Sequence, residues 1–337
     1  MKNQEFAEIL QQKCDWSAFK NKNFLISGAT GLIGKALLDL LCYLNESLSL
    51  NIRLTLISRN INEAAYDNDY IKVFQHDVNF PLDGKFSEAA DFVIHAASNT
   101  HPNLYAGRPI ETITTNVLGS LNLLQYASKN PSCRFLFLSS VEVYGNTEKP
   151  LPGAFTEKDF GYIDCNTLRA GYPEAKRLSE ALCQAFRSEK NIQVLIARLA
   201  RCYGPGLRPD DSKVLSQFIR NAKNHDDIVL KSQGKQVFSY LYSLDAACAI
   251  LYLLLKGQDG EAYNVAGKES DISLCQLAEL IAAMCGSRVI FAQAESLEKK
   301  GFSPVQNALL NTEKIKLLGW ESKVSLAEGL KRTLELN

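Results

Sequence analysis

Phe24-Leu25-Ile26-Ser27-Gly28-Ala29-Thr30-Gly31-Leu32-Ile33-Gly34 is the stretch from which the fold is read. A short apolar run breaks into glycines spaced G-x-x-G-x-x-G and passes at once into Lys35-Ala36-Leu37, the opening of a long amphipathic segment. That is strand, turn and helix in succession. Gly28 and Gly31 allow a tight turn and close backbone approach to a pyrophosphate. Gly34 lets the helix pack on the strand, and the helix N-terminus aims its N–H groups at the phosphates. A glycine triplet alone is weak, because such turns also serve packing; its weight comes from its place at the first strand. Thr30, Leu32 and Ile33 lie in the same turn and are assigned to the same dinucleotide site.

Outward from this turn, short apolar runs alternate with longer amphipathic ones as far as residue 200. The runs predict strands at 24–27, 53–58, 72–76, 92–95, 135–139 and 193–198, with helices at 34–44, 110–128 and 173–188 between them. This is the pattern of a parallel sheet with crossover helices. After Tyr203-Gly204-Pro205-Gly206 the regularity weakens, and helices are expected at 215–222, 246–255, 274–284 and 326–336. The predicted fold is α/β, a Rossmann-like doubly wound parallel sheet with a smaller C-terminal α/β substrate lobe. Residues 1–22 form an N-terminal helical extension, 23–200 a NAD(P)-binding domain, and 201–337 mainly a substrate lobe with some segments returning to the sheet.

Composition bounds the partners. In 337 residues, Lys+Arg and Asp+Glu both total 37, so no net basic field is available to hold nucleic acid or an anionic membrane. Phosphate must be held by local groups. The hydrophobic share of 46% suits a packed globular chain. No export signal is read in residues 1–22, and the apolar run 246–255 is about half of a membrane span. The nine cysteines form no C-x-x-C pair and read as reduced, buried thiols of a cytoplasmic protein with no metal site.

The second strand ends Ser58-Arg59, where a site for an unphosphorylated ribose usually carries an acid. Arg59 suits a 2′-phosphate, or else caps the strand or stacks on adenine, so NAD and NADP both stay open. Asp77-Val78 and Ala96-Ala97-Ser98 follow the third and fourth strands, at the carboxyl edge where ligands bind. The fifth strand finishes Ser139-Ser140-Val141-Glu142-Val143-Tyr144-Gly145. It carries a hydroxyl and a carboxylate into that crevice. Tyr172 and Lys176 then stand at i and i+4 on a helix, facing one side. An ammonium beside a phenol favours phenolate and makes a general base, with Ser140 holding the reacting hydroxyl or carbonyl against it.

The Gly28 turn, Ala96-Ala97-Ser98, Asn116 in Thr114-Thr115-Asn116-Val117-Leu118-Gly119-Ser120, Ser140 in its Ser-Val-Glu setting, Tyr172 with Lys176, and Arg198 with Tyr203-Gly204-Pro205-Gly206 resemble the NAD-dependent epimerase/dehydratase family of extended short-chain dehydrogenases. The resemblance spans nearly the whole chain after residue 22. It implies a tightly bound NAD or NADP, a nucleotide-diphosphate sugar as substrate, transient oxidation at C4, and return of the hydride. Tyr172 would be base, Lys176 ribose ligand and activator, Ser140 the hydroxyl partner and Asn116 part of the cofactor site. It also implies a homodimer through a four-helix bundle, using the helices at 110–128 and 173–188.

The family's dehydratases carry Asp-Glu and its UDP-glucuronate decarboxylases Ser-Glu where this chain has Val141-Glu142. Ordinary 4,6-dehydration is therefore disfavoured, and decarboxylation keeps its Glu. The decarboxylases' Gln-x-Arg-x-Phe segment is here Gln236-Val237-Phe238-Ser239-Tyr240, so Phe238 stands for the arginine. Arg201 stands for the family's Asn in Arg-x-x-Asn-x-Tyr-Gly, and suits a diphosphate or sugar carboxylate. The expected activity is C4 oxidation with hydride return, an epimerase or close relative. Decarboxylation of UDP-glucuronate, a cofactor-releasing NADP-dependent reductase, and a non-catalytic sensor of nicotinamide redox state are the alternatives.

Overall fold

The computed structural model describes residues 2–62, 66, 68–82, 84, 86, 88–100, 107–146, 153–208, 211–293 and 305–336. Its strands are β1 (Asn23–Ser27), β2 (Arg53–Ser58), β3 (Ile71–Gln75), β4 (Phe92–His95), β5 (Arg134–Ser140), β6 (Gln193–Leu199), β7 (Arg201–Tyr203), β8 (Ile228–Leu230), β9 (Val237–Phe238), β10 (Tyr240–Tyr242), β11 (Ala262–Val265), β12 (Ile272–Ser273), β13 (Val289–Phe291) and β14 (Asn307–Ala308). The helices are α1 (Lys2–Ile9), α2 (Leu32–Leu48), α3 (Pro109–Ala127), α4 (Gly171–Lys190), α5 (Val214–Lys223), α6 (Ser243–Lys256), α7 (Leu274–Cys285), α8 (Glu313–Leu317) and α9 (Leu326–Leu336).

Seven strands form one sheet in the order β11-β6-β5-β4-β1-β2-β3, with every pairing parallel. The central strands read as continuous apolar runs because helices cover both faces: all four residues of β4 are buried, as are Phe135 to Leu138 of β5. The chain order reverses between β1 and β4. At such a switch point the two outgoing connections part and leave a crevice at the carboxyl ends of the strands.

The chain after residue 200 divides between layers. β11 returns to the main sheet beside β6, and α6 packs against α2. Helix α6 is buried from Ser243 to Leu254, which explains why its sequence is apolar all round rather than striped. Its one buried acid, Asp245, accepts the backbone N–H groups of Lys323 and Val324 at 2.8 and 3.0 Å. The remaining strands form three small sheets, β10-β7, β12-β9-β14 and β13-β8, which build the lobe over the crevice.

The N-terminal segment packs into the body. Phe6, Ile9, Trp16 and Phe19 are buried, and Arg332 of α9 pairs with Glu5 and Glu8 of α1. The cysteines depart from expectation. All nine are free thiols, but only Cys133, Cys183 and Cys248 are buried and Cys165 is exposed. Apolar periodicity located their elements without fixing which face each side chain takes. Among the described residues no helix is long and apolar enough to cross a membrane.

Candidate active site

The ends of β1, β4, β5 and β6 open onto one cleft of about 730 Å3, within the range of small-molecule sites. Gly28 turns the chain out of β1 with φ +72°, and a Cβ there would fall 2.6 to 2.7 Å from backbone atoms of Ala96 and Ala97. Only glycine fits. A Cβ on Gly34 would lie 2.2 Å from the carbonyl oxygen of Gly28, so the helix can sit on the turn only without one. Gly31 caps α2 without a side-chain hydrogen bond. The first N–H groups of the helix therefore stay available to an anion.

Gly28, Gly31, Leu32, Ile33, Gly34, Ala96 and Ser98 line this end of the cleft. Thr30, Arg59, Asp77, Val78, Ala97 and Asn116 are not among its lining residues. Several of these are bonded within the protein instead. Asn116 is fully buried; its side-chain oxygen accepts from Ser98 at 3.0 Å, its amide donates to the carbonyl of Thr112 at 2.7 Å, and its own carbonyl accepts from Ser179. Thr30 is hydrogen-bonded to Ser58, Asp77 accepts the N–H of Asn79, and Val78 is buried with its carbonyl taken by Asn122. Arg59 is engaged: it pairs with Glu111 at the start of α3 and donates to Asn99 at 3.3 Å. That pairing holds the Glu111 carboxyl below its ordinary range.

At the other end, β5 delivers Ser140, whose hydroxyl accepts the N–H of Glu142 at 3.3 Å and shares the cleft with Tyr172. One turn along α4, the Lys176 ammonium donates to the carbonyl of Leu138 at 2.7 Å and lies 5.8 Å from the centre of the Tyr172 ring. Burial pushes the phenol of Tyr172 up; Ser140 and Arg169 oppose this, and Glu142 adds to it. Burial pushes Lys176 down to about 7, against the pull of the Glu180 carboxylate. The protein alone thus favours the phenol and brings the Lys176 ammonium close to losing its proton. A positive charge arriving beside Tyr172 shifts the balance toward phenolate, and the two groups titrate as a pair.

Behind them lies a buried polar network. Glu180 accepts from Ser139 at 2.5 Å and from Arg198 at 3.0 and 2.7 Å, while Arg198 also reaches Tyr144. Arg198 is therefore part of the scaffold that fixes β5, β6 and α4.

Ser140, Glu142, Tyr172, Lys176 and Arg201 share the cleft. A residue not anticipated from sequence completes this end. Arg169, in a short helical turn before α4, donates from one Nη to both oxygens of Glu142 at 2.7 and 2.6 Å, and both side chains are only 15% exposed. Its sequence signal was its spacing three residues before Tyr172, which puts both side chains toward one side. Arg201 stacks on Phe238, with the guanidinium carbon 3.8 Å from the ring centre.

Comparison with known proteins agrees with this geometry. The model of the NAD dependent epimerase/dehydratase family matches residues 24–266. UDP-glucuronic acid decarboxylase 5 of Arabidopsis thaliana is 31% identical over 317 residues, covering 92% of this chain and 87% of its own. Among solved structures, the UDP-glucose 4-epimerase of Thermotoga maritima with UDP-glucose superposes with a TM-score of 0.78 at 24% identity, covering 93% of this chain and 98% of that one. The UDP-glucuronic acid 4-epimerase of Bacillus cereus, in complex with UDP-glucuronic acid and NAD, gives a TM-score of 0.78 at 20% identity with the same coverage. At these identities the two structures attest the fold.

Proposed function

This chain belongs to the NAD dependent epimerase/dehydratase family, and from that premise we propose that it oxidises C4 of a nucleotide-diphosphate sugar and returns the hydride to the same sugar. The observation carrying this reading is the placement of Ser140 and Tyr172 in one cleft with Lys176 one turn along from Tyr172, facing the Gly28 turn. The cradle fits a dinucleotide, because Gly28 and Gly34 leave no room for a Cβ and α2 has an uncapped N-terminus. The turn and α2 would hold the pyrophosphate, and Lys176, once released from Leu138, a ribose hydroxyl. Bound there, the dinucleotide supplies a hydride acceptor and donor.

The chain's own residues handle the proton. Ser140 orients the C4 hydroxyl, and Tyr172 accepts its proton as the C–H bond breaks. Lys176 stabilises the phenolate, and Tyr172 gives the proton back when the ketone is reduced. Glu142, paired with Arg169, stands beside Tyr172 as a second site for handling a proton. The direct test is mass spectrometry of products from UDP-, dTDP-, GDP- and CDP-sugars incubated with dinucleotide-loaded protein. Unchanged mass with altered retention is expected; no product with any of them overturns the reading.

A second reading, decarboxylation of UDP-glucuronate, is supported by the curated relative and by the presence of Glu142. Loss of carbon dioxide in the same assay would select it.

The dinucleotide is read as NAD. A 2′-phosphate would have to compete with Glu111 for Arg59. Glu111→Gln is therefore expected to raise NADP affinity relative to NAD on the order of 10-fold, measured by fluorescence titration with both. An unchanged ratio would leave Arg59 as a surface residue.

The protein is further read as a homodimer through α3 and α4. The two helices pack on each other and still expose Ile110, Ile113 and Leu178. Ile113→Asp with Leu178→Asp is expected to halve the mass seen by light scattering, while a dimer that survives both charges uses another face.

A further inference from the structure

Tyr172, Lys176 and Glu180 stand four residues apart on α4 and so share one face. That face meets the last three residues of β5 in register: the Lys176 ammonium donates to the carbonyl of Leu138, the Glu180 carboxylate accepts the hydroxyl of Ser139 at 2.5 Å, and Tyr172 shares the cleft with Ser140. Glu180 also takes the guanidinium of Arg198, from β6, on both of its oxygens at 3.0 and 2.7 Å. The proposed function employs Ser140, Tyr172 and Lys176 but gives Glu180 no task.

The charge balance beneath the site supplies one. Lys176 and Arg198 are both buried cations, and the Glu180 carboxylate is the strongest pull opposing the effect of burial on Lys176. The other groups around Lys176 are neutral. His95 of β4 is held down at about 3 by burial, burial pushes the Cys183 thiol of α4 up, and β5 offers the Leu138 carbonyl and the Phe137 ring, whose centre is 4.6 Å from the ammonium. The buried residues of α3, which packs along α4, include no charged side chain. The Tyr144 phenol beside Arg198 is pushed up to about 12, and on the cleft side Glu142 and Arg169 answer each other. Two cations and one anion leave this layer one negative charge short. The phenolate of Tyr172 is the group that can supply it.

We propose that Glu180 is a positioning residue for the reaction: it holds α4 in register with the end of β5 and, by answering the charge of Arg198, leaves that of Lys176 to the Tyr172 phenolate. The inference rests on the reading of Tyr172 and Lys176 as the pair that handles the proton, and adds the group that sets their charge state. Its signature is a pair of opposite effects. Without the Glu180 charge, two buried cations face each other, and the proton leaves the lysine because a guanidinium holds its own far more strongly. Without the Arg198 charge, Glu180 serves Lys176 alone and the proton stays longer. A brace that only held the elements together would act in one sense in both cases, since loosening admits water and returns Lys176 toward its higher ordinary range.

The test follows Lys176 directly, by NMR pH titration of protein labelled at the lysine ε-carbons, with the resonance assigned through its loss in Lys176→Met. Glu180→Gln is expected to move the Lys176 midpoint down by about one pH unit or more. Arg198→Met should move it up, and the double variant should bring it back near that of the unchanged protein. With a sugar that is turned over, the basic limb of the kcat profile should shift down in Glu180→Gln while KM changes little. A Lys176 midpoint that stays in place or rises in folded Glu180→Gln overturns the inference. If that variant fails to fold because Arg198 is stranded, the double variant decides: an unchanged midpoint supports the inference, and a rise toward the ordinary lysine range overturns it. A protein that turns over none of the sugars overturns the proposed function, while the Lys176 titration still reports whether Glu180 sets the charge of the pair.

Discussion

Tyr172→Phe is expected to lower kcat by about 10³-fold or more while the protein stays folded and binds its dinucleotide as before. The phenol is buried, so burial alone holds its proton on. In the proposed reaction that proton leaves and returns, and only the hydroxyl can carry it. The structural loss is small by comparison. At most one polar contact of the hydroxyl disappears, worth about 1 kcal/mol, and the ring keeps its place beside Lys176. Single-turnover kinetics with melting curves and dinucleotide titration separate the two. Turnover within about tenfold of the unchanged enzyme would remove Tyr172 from the chemistry, and joint loss of fold and activity would make it structural.

The second large effect concerns Glu142 and Arg169. They form a nearly buried ion pair beside Tyr172, and their charges act on it in opposite senses: Glu142 raises the phenol and Arg169 lowers it. Glu142→Gln preserves the shape of the pair but removes the negative charge. The acidic limb of the pH–rate profile should move to lower pH, while kcat falls on the order of 10²-fold if the carboxylate handles a proton. Arg169→Leu does the reverse for the limb. It leaves Glu142 charged and without its guanidinium, so the limb should move to higher pH. It should also cost stability, since breaking an ion pair with little solvent access strands the other charge. The double variant should regain part of both losses, because neighbouring members of one pair do not act additively. Identical pH profiles in the two single variants would show that the pair only braces the loop, and equal effects on KM and kcat would reduce Glu142 to a binding contact.

The elements of the nucleotide-binding half were legible because their signals are local. Strand β2 was read at its observed bounds, β1, β5 and β6 within one residue, and the helices through their three- and four-residue apolar spacing. β11 has only four residues and follows a helix that is apolar all round, so nothing in its own pattern placed it beside β6 in the main sheet. The N-terminal segment likewise had a readable helix, while its packing on α6 and α9 depends on residues more than 200 positions away, such as Cys248 on Ile9 and Arg332 on Glu5.

The site divides along the same line. The sequence by itself determined the glycine turn, the order of Ser140, Tyr172 and Lys176, and the shared face of the last two, because each follows from backbone conformation over a few residues. Only the tertiary structure decided which partner each long charged side chain takes. Arg59 went to Glu111 of α3, Glu142 to Arg169, and Arg201 to the face of Phe238. Those choices turn on distances between elements far apart in the chain, and on which polar atoms folding leaves buried without a partner. Spacing along the sequence encodes neither.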